Sequence, residues 1–299
     1  MLAKTRNLSL LILLILLSAC ASTSTSGSGG KQGNSLLWLV EYENQKVYIL
    51  GSIHVADSSF YPLDSNITKA FDESTDLSVE IDIHNVNPGT LMQAATYKNN
   101  HTLEYNLNKE NFARVEKYLK NLGMPKLYYN KLKPWFVSFY ITMEEMKRLG
   151  YDENLGIDNY FLKKARTSKR IHELESIEIQ IELFEKISKD PNEYMEIFFD
   201  DFEHGIEIVD SLAAAWKSGD AKLTEKLLFE EMDNDERYQL FKEEMFTKRN
   251  KRMAKIIERY LAEDGKNIHF VVVGAGHLVG IGGVIDILKK RKMYEIKKF

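Results

Sequence analysis

The sequence predicts an α/β fold, a mixed sheet formed by its N- and C-terminal segments with a large helical insertion between them. Three observations carry that prediction. Short apolar runs bounded by turn residues lie near both ends of the chain. One run at each end leads into a Gly-x-x-His, Gly51-Ser52-Ile53-His54 and Gly274-Ala275-Gly276-His277, and then into a helical pattern. Between them, residues 87–262 are dominated by apolar faces of 3.6-residue period.

In chain order, Lys4 and Arg6 precede an apolar stretch, Leu8 to Leu17, that is too short to span a bilayer comfortably. It ends in Leu17-Ser18-Ala19-Cys20, which resembles a bacterial lipobox with Cys20 as the lipidated residue; a plain secretory signal is the competing reading. Cys20 is the only cysteine, so no internal disulfide can form. With Ala21 rather than Asp in second place, a lipoprotein would be sorted to the outer membrane, facing the periplasm. Residues 21–35 hold no large apolar side chain and read as a flexible tether. The expected organisation is a signal peptide over 1–20, a tether over 21–35 and one domain over 36–299.

Residues 36–41 and 46–50 read as a hairpin closed by the polar segment 42–45. Residues 62–71 read as a helix and 77–83 as a strand. Helices are expected over 111–122, 134–149, 157–165, 177–187, 195–217, 223–231, 235–246 and 253–261. Pro134 suits a first turn and Gly150 a stop. Residues 169–174 read as a short strand between helices. Ile-His-Phe-Val-Val-Val (268–273) has the unbroken apolar character of a buried parallel strand. A helix over 284–290 and a strand over 294–298 close the chain.

The composition, 44% hydrophobic and 28% charged over 299 residues, is that of a globular domain. The net charge of −4, with both signs interspersed, supplies no footprint for nucleic acid.

In open α/β sheets, ligands gather at the carboxyl ends of strands. If the strands before Gly51 and Gly274 are neighbours, His54 and His277 converge there. Gly51, Gly274 and Gly276 then serve as turn glycines that permit close backbone approach. The alternative is two turn glycines, each followed by a capping or surface histidine. Glu80, in Leu77-Ser78-Val79-Glu80-Ile81-Asp82, is an acid in a strand otherwise fit for burial. It is either a carboxylate beside His54 or part of the solvated face of an edge strand.

Other motifs are missing or misleading. His172-Glu173-Leu174-Glu175-Ser176 lacks the second histidine of a zinc helix, and neither Gly-x-Ser-x-Gly nor a P-loop occurs. The spacing of Gly274, Gly276 and Gly280 is wrong for a dinucleotide fingerprint. His84, His101, His204 and His269 show no partner pattern and read as surface or structural. Tyr128-Tyr129 and Pro134-Trp135-Phe136 read as packing aromatics.

Taken in order, Val47–Leu63, the Glu80 strand, Gly156-Ile157-Asp158 with Leu174-Glu175-Ser176, Arg249-Asn250 and Gly274–His277 resemble the motifs of the TraB/GumN family, over essentially all of residues 36–299. The family is similar to Tiki proteins and to the erythromycin-esterase/ChaN-like fold, and the Tiki relatives are regarded as metal-dependent proteases. The resemblance implies a hydrolase, of the peptidase kind, that holds a divalent metal (Mn, Co or Zn) on His54, His277 and Glu80, and the anchor expected at Cys20 would tether it to the membrane. Arg249 and Asn250 would complete the pocket and stabilise an oxyanion. Glu80 and Glu175 are the candidate general bases. Lys248 stands where the family commonly has an acid. On local sequence alone, Arg249 is equally an ordinary basic residue of Lys248-Arg249-Asn250-Lys251-Arg252. Three other functions compete: a haem- or iron-binding envelope lipoprotein, a helical platform for an envelope partner, and an esterase.

Overall fold

The computed structural model describes residues 35–299 except 231, 233, 234, 264 and 266, together with all side chains in that range but those of 203 and 204. The expected signal peptide, Cys20 and residues 21–34 of the tether lie outside the described residues. Ser35, at the edge of the expected tether, is buried, and its hydroxyl donates to the carbonyl of Phe299 at 3.2 Å.

Six strands form one sheet: β1 (Leu37–Tyr42), β2 (Gln45–Ser52), β3 (Asp76–Val79), β4 (Arg170–Glu173), β5 (His269–Gly274) and β6 (Glu295–Lys298). Their spatial order is β4-β3-β5-β2-β1-β6. The β2–β5, β5–β3 and β3–β4 pairs are parallel, whereas β1 pairs antiparallel with β2 and β6. The sheet is therefore mixed, built from both ends of the chain, and only β4 comes from the helical middle. The strands before the two Gly-x-x-His motifs are direct neighbours, with Gly51 opposite Val273 and Ser52 opposite Gly274.

Every residue of β5 is buried, as the apolar run predicts for a central parallel strand. Alternation assigns its two faces. Phe270 packs on Phe71 and Phe161, so helices Ser65–Glu73 and Ile157–Ala165 cover one face. His269 stacks on Tyr260, so helix Lys248–Leu261 covers the other.

Several boundaries differ from expectation. β2 runs two residues further, through Gly51 and Ser52, because β5 continues to pair with it. The first motif thus leads into an irregular segment, and the helix begins only at Ser65, where the Asp64 carboxylate caps the Asn66 N–H at 2.7 Å. β3 is four residues long and lies inside the sheet, between β4 and β5, so the edge-strand reading of Glu80 is wrong. The expected helix 235–246 is broken into a 3-10 turn, one α-turn and a π-turn at Glu243–Thr247, and it runs without interruption into Lys248–Leu261. The helix expected over 253–261 consequently starts at Lys248, five residues early, which places Arg249 and Asn250 on it. Tyr129 and Trp135 are core residues as read, but Tyr128 is exposed.

Candidate functional site

The four parallel strands each deliver one chemically active side chain just past their carboxyl ends: His54 after β2, Glu80 after β3, Glu175 after β4 and His277 after β5. The β3–β4 ladder continues beyond the strands, with Leu174 N–H on the Val79 carbonyl (2.9 Å) and Glu175 N–H on the Glu80 carbonyl (3.0 Å). This pairing sets the two glutamates side by side.

Gly274 is the point of convergence. A β-carbon built there would lie 3.3 Å from Glu80 Oε1, 3.3 Å from His54 Nε2 and 3.6 Å from His277 Cδ2. The backbone N–H of Gly274 donates to Glu80 Oε1 at 2.6 Å, and His277 Nε2 is 3.8 Å from the same oxygen. The other two motif glycines permit close packing rather than unusual dihedrals. A β-carbon on Gly51 would meet the Ala275 Cα at 3.1 Å, and one on Gly276 would meet Phe246 Cε1 at 3.0 Å. Trp216 Nε1–H also bonds the Gly51 carbonyl at 2.7 Å, tying helix Pro191–Lys217 to the first motif.

Each imidazole is oriented through its Nδ1. His277 Nδ1 lies 2.7 Å from Asn250 Oδ1, and Asn250 Nδ2 donates to the Gly282 carbonyl at 2.9 Å. The amide oxygen can only accept, so the His277 proton sits on Nδ1 and Nε2 carries a lone pair. His54 Nδ1 is 3.1 Å from Asp158 Oδ1, a charge contact that lacks hydrogen-bond alignment. The Nε2 atoms of both histidines are buried and have no hydrogen-bond partner. Buried polar atoms left in this way ask for an explanation, and an ion is one.

Behind them lies a buried charge network. Arg249 Nε donates to both Glu175 oxygens (3.0 and 2.8 Å), and its Nη2 bonds Glu80 Oε2. Arg252 Nη1 adds a 3.1 Å contact to Glu175 Oε1. All three core members, Arg249, Glu80 and Glu175, are buried. The π-turn just before Arg249 places the Met245 carbonyl 3.4 Å from Arg249 Nη1 and the Phe246 ring 5.3 Å from the His277 ring.

These environments shift the two histidines in opposite directions. Burial, reinforced by Arg249 and His54, drives His277 well below 6.5 and keeps it neutral. Burial also opposes the charge on His54, but Asp158 and Glu80 outweigh it and raise that pKa. A pH signature follows from the sign of these shifts. A histidine whose folded pKa lies below its unfolded value contributes stability that is full above about 6.5 and is lost as pH falls, because the unfolded chain binds the proton. His54 acts oppositely, contributing below its unfolded pKa and losing that contribution as pH rises through its folded one. Thermal melts in chelator are therefore expected to show wild type losing more stability between pH 7 and 5 than His277→Asn does. Identical slopes would contradict a buried neutral His277.

The sequence-predicted residues His54, Glu80, Glu175, Arg249, Asn250 and His277 are thus brought together. Asp158 and Gly156 were quoted in the central motif without a role. Asp158, in the first turn of helix Ile157–Ala165, backs His54, and a β-carbon on Gly156 would sit 2.2 Å from the His54 carbonyl oxygen. Gly156→Ala must therefore displace the His54 segment. We expect a loss of about 2–4 kcal/mol in urea unfolding, the scale of overpacking against backbone; a neutral result would contradict that close approach. The signal for this pair was Gly-Ile-Asp opening a helix, which marks a helix start but not its partner.

The exposed Lys248 pairs with the buried carboxylate of Glu244. Of the histidines read as unpartnered, His84 contacts Asn159 Oδ1 at 2.8 Å, His101 packs between Tyr97 and Tyr105, and the His204 side chain lies outside the described residues. His269 is buried beside His172 and Asp76. That cluster is the only group of three His, Cys or acidic ligand atoms within 4.8 Å of one another among the described residues. The His54, Glu80 and His277 atoms surround Gly274 without closing that tightly.

No curated protein and no solved structure matches the chain. The sequence model of the TraB/PrgY/gumN family matches residues 36–296, which include β1 to β5 and every residue of this site, and the chain belongs to that family.

Proposed function

We propose that the chain is a metal-dependent hydrolase acting on peptides, held at the bacterial envelope by a lipid on Cys20. The observation that carries the reading is the pair of buried, unpartnered Nε2 atoms of His54 and His277, the first beside Gly274 with Glu80 Oε1 and the second 3.8 Å from that same oxygen. Two imidazole nitrogens and one carboxylate oxygen suit Mn, Co or Zn with coordination positions to spare. Such an ion, when bound, would polarise a carbonyl and acidify water.

The chain's own residues then divide the work. Asn250 fixes the His277 tautomer so that its Nε2 carries the lone pair, and Asp158 lies against His54 Nδ1 as a charge contact at 3.1 Å. Glu80 is the acid whose Oε1 faces the reacting space, held there by the Gly274 N–H, and it supplies the carboxylate oxygen of the ligand set. Both Glu175 oxygens are committed to arginine N–H groups, so Glu175 acts by positioning Arg249. Arg249 in turn acts through Glu80, orienting it inside the fold.

His277 is fully enclosed, while His54 and Asp158 each keep 15% of their side chains exposed, so substrate must approach past that pair. This enclosure favours an ion and a narrow substrate over haem. The envelope tether rests on the Leu17-Ser18-Ala19-Cys20 sequence. No helix of the described residues is long and apolar enough to cross a membrane.

The test is cleavage of a complex peptide library by the full chain with Mn, Co or Zn, read by mass spectrometry beside Glu80→Gln. New termini in wild type that fall at least 100-fold in the variant are expected. Equal products from both, or none with any ion, would contradict the reading. Turnover of esters alone would replace peptides by another acyl substrate.

A further inference from the structure

We propose that Asp76, His172 and His269 form a second divalent-metal site that ties β3, β4 and β5 together at their amino ends. It lies at the opposite end of the sheet from the first site. His269 opens the strand that Gly274 closes, five residues and roughly 16 Å away.

The register builds the cluster. Asp76 and His269 are directly paired across β3 and β5, and His172 on β4 reaches Asp76 Oδ1 with its Nε2 at 2.7 Å. One ligand atom from each residue lies within 4.8 Å of the other two. Asp76 and His269 are buried, whereas the His172 side chain is 40% exposed, leaving one side open to water and ion exchange. His269 is held flat against Tyr260, ring centroids 3.8 Å apart and planes 6° from parallel. Its Nε2 has only a 3.4 Å contact to Glu263, and its buried Nδ1 has no partner. An unpartnered nitrogen on an immobilised, buried ring is the independent sign of a missing ligand. Two imidazoles and one carboxylate suit Zn, Co or Ni. In a tetrahedral site with bonds of about 2.1 Å, donor atoms stand roughly 3.4 Å apart. The Asp76–His172 contact needs to open by less than an ångström, which a half-exposed histidine allows.

One residue opposes the ion. Arg170 bonds both Asp76 oxygens, Nε to Oδ1 and Nη2 to Oδ2, each at 2.8 Å. Its side chain is 62% exposed and already shares Nη2 with Asn267 Oδ1, so it can yield Asp76 and keep a partner. Thr75 continues to hold Asp76 Oδ2 at 2.6 Å. The arginine therefore acts as an internal competitor, and removing it should tighten binding, an effect that a purely structural ion pair would not produce.

The experiment is cobalt titration of the full chain carrying His54→Ala and His277→Ala, followed by visible ligand-field absorption and thermal melting. One equivalent should bind and raise the melting temperature. Adding His172→Ala should weaken binding at least tenfold, and adding Arg170→Gln should strengthen it. Absence of cobalt binding in the folded double variant, or unchanged affinity after His172→Ala, would overturn the proposal. Should the double variant fail to fold, the same question is put to wild type, where His172→Ala must remove one bound equivalent; unchanged stoichiometry would overturn it equally. Loss of the first site alone leaves every one of these readings intact, so the two sites fail separately.

Discussion

Replacing Arg249 with alanine is expected to destabilise the protein by about 3–5 kcal/mol, the scale for breaking a buried ion pair by removing one partner. The reason is the arrangement around it. Glu80 and Glu175 are buried, lie next to each other on the extended β3–β4 ladder, and share Arg249 as their buried counter-charge. Without it, two carboxylates face each other in a medium that solvates neither, and only the half-exposed Arg252 and the amide of Gln180 remain on Glu175. Arg249→Lys should recover only part of the loss, because an ammonium cannot span both acids as a guanidinium fork does. The triple variant Glu80→Gln, Glu175→Gln, Arg249→Met removes charge and counter-charge together and should recover most of the stability while remaining inactive. Urea unfolding of the four chains checks this. A loss below about 1 kcal/mol in Arg249→Ala would mean that the network is solvated and that the burial argument fails.

Gly274→Ala should produce the opposite dissociation, a stable protein with a blocked site. The Gly274 dihedrals, φ −49° and ψ 136°, are open to any residue, so backbone strain does not require glycine. What requires it is space. The new methyl would press on Glu80 Oε1 and His54 Nε2 at 3.3 Å each, on the spot where both converge with His277. We expect stability to change by no more than about 1 kcal/mol, and ion affinity and turnover to fall by about two orders of magnitude. Calorimetric ion titration and thermal melts, both in the chain that also carries His172→Ala, separate the two effects. Unchanged ion affinity would mean that the space beside Gly274 is not where the ligand sits.

The sheet was legible because its signals are local. The unbroken apolar run before Gly274 and the hairpin before Gly51 identify strands with turns attached, and such runs are characteristic of parallel central strands. The adjacency of those strands, across more than 200 residues, was an inference from where ligands gather in such sheets rather than a pattern in the residues. Glu80 stood out because an acid in a core strand demands a partner. That Arg249 was the partner could not be read, since Lys248-Arg249-Asn250-Lys251-Arg252 has the local character of a solvated basic run. Only the preceding π-turn and the helix's position over the sheet turn Arg249 inward while Lys248 stays on the surface. Asp158 and the Asp76–His172–His269 cluster were illegible for a related reason. Their members come from different strands and helices, and no spacing along the chain encodes a contact made by register. His172 was set aside for failing a helical zinc motif, a test that has no bearing on a histidine in a strand.

The account's central claim is that His54 and His277 hold one divalent ion between them. The most direct measurement is calorimetric titration of Mn, Co and Zn into the full chain carrying His172→Ala, beside the same chain with His54→Ala and His277→Ala added and its folding checked by circular dichroism. The account predicts one equivalent bound by the first protein and none by the second, with the two spectra alike. Equal binding by both folded proteins, or no binding by either, would contradict it.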